Sequence, residues 1–179
     1  MGIDHPLEDW VRATLPRALG YARALLGDPV AAEDVVQDCY LRLMQHADDY
    51  NLPRDGLKIL LRAIWNECRD RTIRRRLVHN LGEDSSYPAK PLAERKTPDP
   101  LQEVVARELS DRIEEALARL PMVQRAAIVL AALGYSLPEV AEVLGTTYAN
   151  ARVLVHRARK KLQAELEPFL SEAEDEPRE

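Results

Sequence analysis

The stretch RVLVHRARKKL, residues 152–162, holds Arg152, His156, Arg157, Arg159, Lys160 and Lys161 and no carboxylate. Side chains of this kind, packed this closely, can bind a polyanion phosphate by phosphate. A second cationic set lies over residues 57–79, where Lys58, Arg62, Arg69, Arg71, Arg74, Arg75 and Arg76 face only Glu67 and Asp70. The chain as a whole carries a formal net charge of -5, and its end, SEAEDEPRE, is acidic. Charge is therefore segregated, and two basic patches point to two contacts with a polyanion.

Bond-making chemistry finds no comparable set. His5, His46, His79 and His156 are scattered, and no His-Glu-x-x-His, phosphate-binding glycine loop or Gly-x-Ser-x-Gly occurs. Cys39 and Cys68 form no Cys-x-x-Cys pair. No catalytic residue, cofactor or metal is expected, and the chain is read as a non-enzyme. Both cysteines sit in apolar-periodic stretches, which suits buried free thiols in a reducing cytosol. The opening MGIDHPLEDW lacks the pattern of a signal peptide, and no run of about 18 apolar residues is present. A cytoplasmic protein without a membrane span is the expectation.

The elements that must position these residues are helices. Leu, Ala, Arg and Glu dominate, and apolar positions recur at three and four, rarely at two. In the N-terminal half, helices are expected over residues 6–26, with a bend at Pro16, then 30–48 and 57–77. Gly27-Asp28-Pro29 ends the first, and DDYNLPRDG reads as a loop before the third. The proline-rich GEDSSYPAKPLAERKTPDP reads as a flexible linker, assigned to residues 81–100. Beyond it, helices are expected over 101–119, from Pro121 to near Gly134, from Ser136 to Gly145, and from Thr146 or Thr147 onward. The predicted organisation is all-α: domains over 5–80 and 101–167, then an acidic, disordered tail over 168–179. Each domain is small enough to sit near the lower limit for a self-sufficient core.

A short helix, a glycine turn and a longer basic helix form a helix-turn-helix, whose second helix enters the DNA major groove. At about 100° per residue, Ala151, Leu154, Val155, Ala158 and Leu162 make an apolar stripe. Arg152, Val153, His156, Arg157 and Lys160 fall on or beside the opposite face. Val153 could touch a thymine methyl and Arg152 a guanine edge or a phosphate, while Arg157, Arg159, Lys160 and Lys161 hold phosphates. In the second helix, Ala32, Val35, Val36, Cys39 and Leu43 face inward. Opposite them, Leu41 is ringed by Asp34, Gln37, Asp38 and Gln45, as a contact surface for a protein partner would be. On the third helix Arg62, Asn66, Arg69 and Asp70 recur at helical spacing, with Tyr50 in the preceding loop as a ring for an unstacked base.

Three motifs in this order resemble the sigma-70 family of bacterial RNA polymerase sigma factors, in its small extracytoplasmic-function group. LLGDPVAAEDVVQDCYLRL and LLRAIWNECRDRTIRRR resemble region 2. LPMVQRAAIVLAALGYSLPEVAEVLGTTYANARVLVHRARKKL resembles region 4. The resemblance implies a protein that binds core polymerase and helps recognise and melt promoters. It implies docking of Asp34, Gln37, Asp38 and Leu41 on the coiled coil of the polymerase's largest subunit, with region 4 touching the flap. The −10 element would be met by Tyr50, Asn51, Arg62, Asn66, Arg69, Arg74 and Arg75. The −35 element would be read through Tyr148, Asn150, Arg152, Val153 and His156, supported by Arg157, Arg159 and Lys160. Core polymerase and promoter DNA are thus the expected partners of a chain monomeric when free, and an anti-sigma factor is a candidate further partner.

The chain departs from the family at two places. Gly56 and Ile59 stand where aromatics are usual early in the third helix, with Trp65 nearby instead. In the reading helix, Arg152-Val153-Leu154 replaces a common Lys-Ser-Arg, which implies an atypical −35 sequence. A stand-alone dimeric helix-turn-helix regulator, binding palindromic DNA without polymerase, remains the alternative reading of the residues.

Overall fold

The computed structural model describes residues 6–79 and 100–174. The expected linker, apart from its last residue, lies outside them, as do residues 1–5 and 175–179. Seven α-helices follow in order: α1 (Pro6–Leu26), α2 (Pro29–Gln45), α3 (Leu52–His79), α4 (Pro100–Ala118), α5 (Met122–Ala132), α6 (Leu137–Leu144) and α7 (Tyr148–Glu174). No strand occurs among the described residues, as the three-and-four spacing requires.

Local signals explain the boundaries. Gly27 takes a left-handed φ of 67° and closes α1 through its N–H on the Arg23 carbonyl at 2.8 Å. Asp28 then caps α2, its carboxylate accepting from the Val30 and Ala31 amides at 3.0 and 3.3 Å. Two boundaries differ from expectation. The loop before α3 is shorter: a 3₁₀ turn (Ala47–Asp49) leads almost directly into a helix at Leu52. Asn51 is the reason, since its side-chain oxygen accepts from the Arg54 amide at 3.3 Å and its carbonyl from the Asp55 amide at 2.8 Å. Pro53 then falls in the first turn, where its missing N–H costs nothing. At the other end, α7 does not stop near residue 167 but runs through Pro168 to Glu174. There the Arg112 guanidinium of α4 lies 4.3 Å over the Phe169 ring, a cation–π contact.

The two halves do not stand apart. A single apolar core runs from Tyr21, Leu61 and Ile64 to Leu130, Val140 and Val143. Helix α1 packs on α4 and α5, and α3 on α6. Merging two marginal cores lowers the exposed surface of each. Within the first half, Gly56 lets α3 approach α1, because a Cβ there would lie 2.8 Å from Trp10 Cζ2. Trp10 meets Tyr40 edge to face, with centroids 5.6 Å apart, and the Tyr40 hydroxyl shares a 2.7 Å hydrogen bond with Thr14. Cys39 and Cys68 are buried free thiols, and burial pushes them up to about 11 and about 12.

Candidate nucleic-acid interface

The helix-turn-helix is held from both ends of its turn. Ser136 and Glu139 form a capping box at the start of α6, with the Ser136 amide and hydroxyl donating to the Glu139 carboxylate at 2.8 and 2.6 Å. Those bonds hold the Glu139 carboxyl below the usual range. Gly145, at φ 64°, ends α6 in the left-handed region. The Thr146 amide closes the turn on the Ala141 carbonyl at 2.9 Å. Thr147 caps α7 by accepting from the Asn150 amide at 3.2 Å. Ala151, Leu154, Val155 and Ala158 are buried against α5 and α6, and Leu162 is half-buried. Tyr148, Asn150, Arg152, Val153, His156, Arg157, Arg159 and Lys160 are all exposed. Val153 is 42% exposed, an aliphatic side chain set among cations. Asn150 is not wholly free, since its side-chain amide donates to the Thr146 hydroxyl at 2.7 Å.

The second set lies along α3 and just ahead of it. Tyr50, Asn51, Arg62, Asn66, Arg69, Arg74 and Arg75 are exposed. Among them, the Asn51 oxygen caps α3, and Arg69 pairs with Asp70 at 3.1 Å. Arg62 and Asn66 share one face at a spacing of four.

On α2, Asp34, Gln37 and Leu41 form an exposed patch, with Leu41 at 54%. Asp38 is half-buried and bonded to Arg71 at 3.2 Å. Arg71 also holds Glu67 at 3.1 Å, and Arg42 holds Glu67 at 3.2 Å. Burial pushes the Glu67 carboxyl up, but the hydrogen bonds from Arg71 and Arg42 outweigh it and the carboxyl ends below its usual range. Two further residues extend the patch, Val30 at 69% exposure and Met44. Their spacing from Leu41 along the helix was readable, but each alone passes for a scattered surface residue.

A stripe that sequence reasoning missed runs along α3 at every seventh residue: Lys58, Trp65 and Thr72. Each touches the second half of the chain. Lys58 Nζ meets the Glu142 carboxylate at 3.0 Å, which raises the lysine's pKa. The Trp65 indole N–H donates to the Leu144 carbonyl at 3.3 Å. The Thr72 hydroxyl, donating to the Cys68 carbonyl at 2.8 Å, lies 3.5 Å from the Met122 sulfur. Arg125 joins the halves elsewhere, donating to the Ala24 and Leu25 carbonyls at the end of α1. It also donates to the Ala118 carbonyl at the end of α4 and to the Leu120 carbonyl just beyond it. No group of His, Cys, Asp or Glu arranged to hold a metal occurs among the described residues, and none of their helices is long and apolar enough to cross a membrane.

Comparison with known proteins bears on both surfaces. Residues 10–77 match the family profile of sigma-70 region 2, and residues 110–162 match that of sigma-70, region 4. The chain is 32% identical to the ECF RNA polymerase sigma factor EcfG of Rhodopseudomonas palustris, over 98% of this chain and 92% of that protein. It is 35% identical to the RNA polymerase sigma factor CnrH of Cupriavidus metallidurans, over 84% and 81%. Among solved structures it resembles the sigma factor RpoE in complex with the anti-sigma factor NepR from Bartonella quintana. That match has a TM-score of 0.71 at 25% identity, covering 90% of this chain and 97% of the other.

Proposed function

This chain belongs to the sigma-70 family of RNA polymerase sigma factors, and we propose a division of labour among its surfaces. A sigma factor binds core polymerase and directs promoter recognition, melting of the −10 element and initiation; it is a regulator and not a catalyst. The exposed α2 patch of Asp34, Gln37 and Leu41, with Asp38 at its edge, docks on the coiled coil of the polymerase's largest subunit. The α3 face of Arg62, Asn66 and Arg69, with Tyr50 and Asn51 ahead of it and Arg74 and Arg75 beyond, meets the −10 strand. Helix α7 reads the −35 element through Tyr148, Asn150, Arg152, Val153 and His156, with Arg157, Arg159 and Lys160 on phosphates. Region 4 also touches the flap. The protein works in the cytoplasm as a monomer until it meets polymerase.

The observation that carries this reading is the exposed basic face of α7, mounted on a buried stripe and a capped turn. The packed halves add a requirement. By their names the two promoter elements lie about 25 base pairs apart, about 85 Å at about 3.4 Å per pair. A compact chain of 179 residues has a radius of gyration of only about 16 Å. Both elements cannot be met until the halves separate. Residues 80–99, at about 3.4 Å each, reach at most about 70 Å, and the reading surfaces supply the rest.

An anti-sigma partner fits a groove of about 580 Å³ between α1, α4 and α5. Tyr21, Arg23 and Arg125 line it, and each has a buried polar atom without a partner among the described residues. Those atoms are closed off from the groove, so its apolar lining, Ile113, Leu117, Ile128 and Val129 among it, is what a partner's apolar side chains would cover.

The test is transcription reconstituted with core polymerase on genomic fragments, with start sites mapped and promoters aligned. Arg152→Ala should then relax choice at one −35 position by about tenfold, as loss of a base-edge contact does. Equal weakening at every promoter would instead make Arg152 a phosphate contact.

A further inference from the structure

Asn150 is the third residue of α7, and its side chain departs from the usual habit of that position. A polar side chain there ordinarily turns its oxygen back onto the amide of the capping residue, closing a capping box. Glu139 does so on α6, where its carboxylate accepts from the Ser136 amide at 2.8 Å. On α7 the cap is Thr147, whose hydroxyl accepts from the Asn150 backbone amide at 3.2 Å. The Asn150 side chain passes the cap over and donates one amide N–H to the Thr146 hydroxyl at 2.7 Å. Thr146 is a firm mount for it. It is half-buried, and its own backbone amide is held by the Ala141 carbonyl at 2.9 Å, across the turn that Gly145 makes at φ 64°.

We propose that Thr146 is a positioning residue for promoter reading: it holds the Asn150 amide in the orientation that reads an adenine of the −35 element, with Val153 against a thymine methyl beside it. The inference rests on the assignment of α7 to that element. With one N–H on Thr146, the amide keeps an acceptor, Oδ1, and a second N–H side by side. Adenine presents the complement in the major groove, a donor at N6 and an acceptor at N7. Guanine presents two acceptors there, and a phosphate offers acceptors only, so both leave Oδ1 without a donor. Cytosine gives Oδ1 a donor but leaves the second N–H unanswered. Val153, three residues on, stands about 60° from Asn150 on the wheel. It is exposed and aliphatic, which suits the methyl of thymine, the base that pairs with adenine. Two neighbouring side chains of unlike chemistry thus favour A·T. The Thr146 bond also orders the amide before DNA arrives, which lowers the entropy lost on binding.

The test uses holoenzyme assembled from the full chain and core polymerase. Its template is a library of one promoter, mapped by reconstituted transcription, with the −35 element randomised. Bound templates are sequenced, and base preference is read at each position. The native chain should favour adenine at one position by about tenfold, and Asn150→Ala should erase that preference alone. Thr146→Val keeps the shape but removes the acceptor. It should reduce the adenine preference roughly three- to tenfold and leave the other positions unchanged, while Thr146→Ser should keep the native profile. Added to Asn150→Ala, Thr146→Val should change nothing further. A valine that merely weakened the turn would lower binding to every template alike, and that result overturns the proposal. So does an intact adenine preference in Thr146→Val, since Asn150 then reads unaided. If Asn150→Ala moves no position while Arg152→Ala does, Asn150 is no reader of bases and the proposal falls, but α7 keeps the −35 element. If neither moves any position, the assignment of α7 fails with it.

Discussion

Arg125→Ala is the most direct probe of the closed arrangement. Arg125 donates four hydrogen bonds to carbonyls, at 3.0 and 3.4 Å to Ala24 and Leu25, and at 2.9 and 3.0 Å to Ala118 and Leu120. Those of Ala24, Leu25 and Ala118 are among the last carbonyls of α1 and α4, which lack intrahelical partners and carry the negative end of the helix dipole, while Leu120 lies in the turn after α4. Burial lowers the arginine's pKa, but a guanidinium stays charged at any pH a protein survives. A charge-assisted hydrogen bond is worth about 1.5–3 kcal/mol. The 3.4 Å contact falls at the weak end, and water replaces part of the loss at half-exposed carbonyls. The seam should therefore lose about 2 kcal/mol and the α4–α5 corner a further 1–2 kcal/mol or so. About 2 kcal/mol multiplies the open population roughly thirtyfold. Urea unfolding should show a total loss of about 3–4 kcal/mol, and energy transfer between dyes on α2 and α7 should fall. Arg125→Lys keeps the charge without the fork and should lose about half as much. A loss under about 1 kcal/mol with unchanged energy transfer would refute the assignment of Arg125 as the tie between the halves.

Gly56→Ala should destabilise by about 1–3 kcal/mol, because its Cβ would sit 2.8 Å from Trp10 and 3.2 Å from Leu52; Trp10→Leu in the same chain should restore part of the loss, read by urea midpoint. Leu41→Asp should abolish pull-down of core polymerase with circular dichroism unchanged, since the side chain is exposed; normal recovery would clear the α2 patch of that role. The Glu67 carboxyl is held below its usual range in the folded chain, so it stabilises the fold above its unfolded pKa of about 4.5 and ceases to as pH falls through the folded value. Glu67→Gln should thus be less stable than the native chain at pH 7 and equal to it at low pH, with a shallower acid limb between.

The helices and their inward faces were legible because burial imposes a period. The stripes Ala32-Val35-Val36-Cys39-Leu43 and Ala151-Leu154-Val155-Ala158 are buried as the wheel requires. What escaped was governed by single hydrogen bonds or by partners distant in sequence. Asn51, Pro53 and Gly56 are turn formers by composition, and only the Asn51 cap makes the stretch helical. The start of α3 is therefore misread by any reading that counts residue types. The seam stripe mixes a cation, an indole and a hydroxyl at a spacing of seven, and no hydropathy pattern marks it. Trp65 was visible only as an odd neighbour of Asn66. Its partner lies 79 residues away, where local periodicity says nothing. The exposed candidates on α2, α3 and α7 were picked out as residues the apolar stripes did not need, and that criterion is blind to residues the other half of the chain covers.

The seam also changes what kind of regulation the closed form can provide. The α7 residues proposed to read DNA and the Arg62 and Asn66 face of α3 remain exposed while the halves are packed. Closure therefore does not work by hiding them. On the proposed assignment it acts through distance, by holding on one compact body two surfaces that must part to about 85 Å. Such a device acts on affinity. A partner that needs the open form binds with an apparent Kd raised by the inverse of the open fraction. If the open form is one molecule in ten, polymerase affinity is reduced tenfold, and loosening the seam recovers at most that factor. Arg125→Ala should then tighten apparent polymerase binding while it weakens the fold. A merely structural arginine would move both in the same direction, so the opposite signs are what separate a latch from a brace.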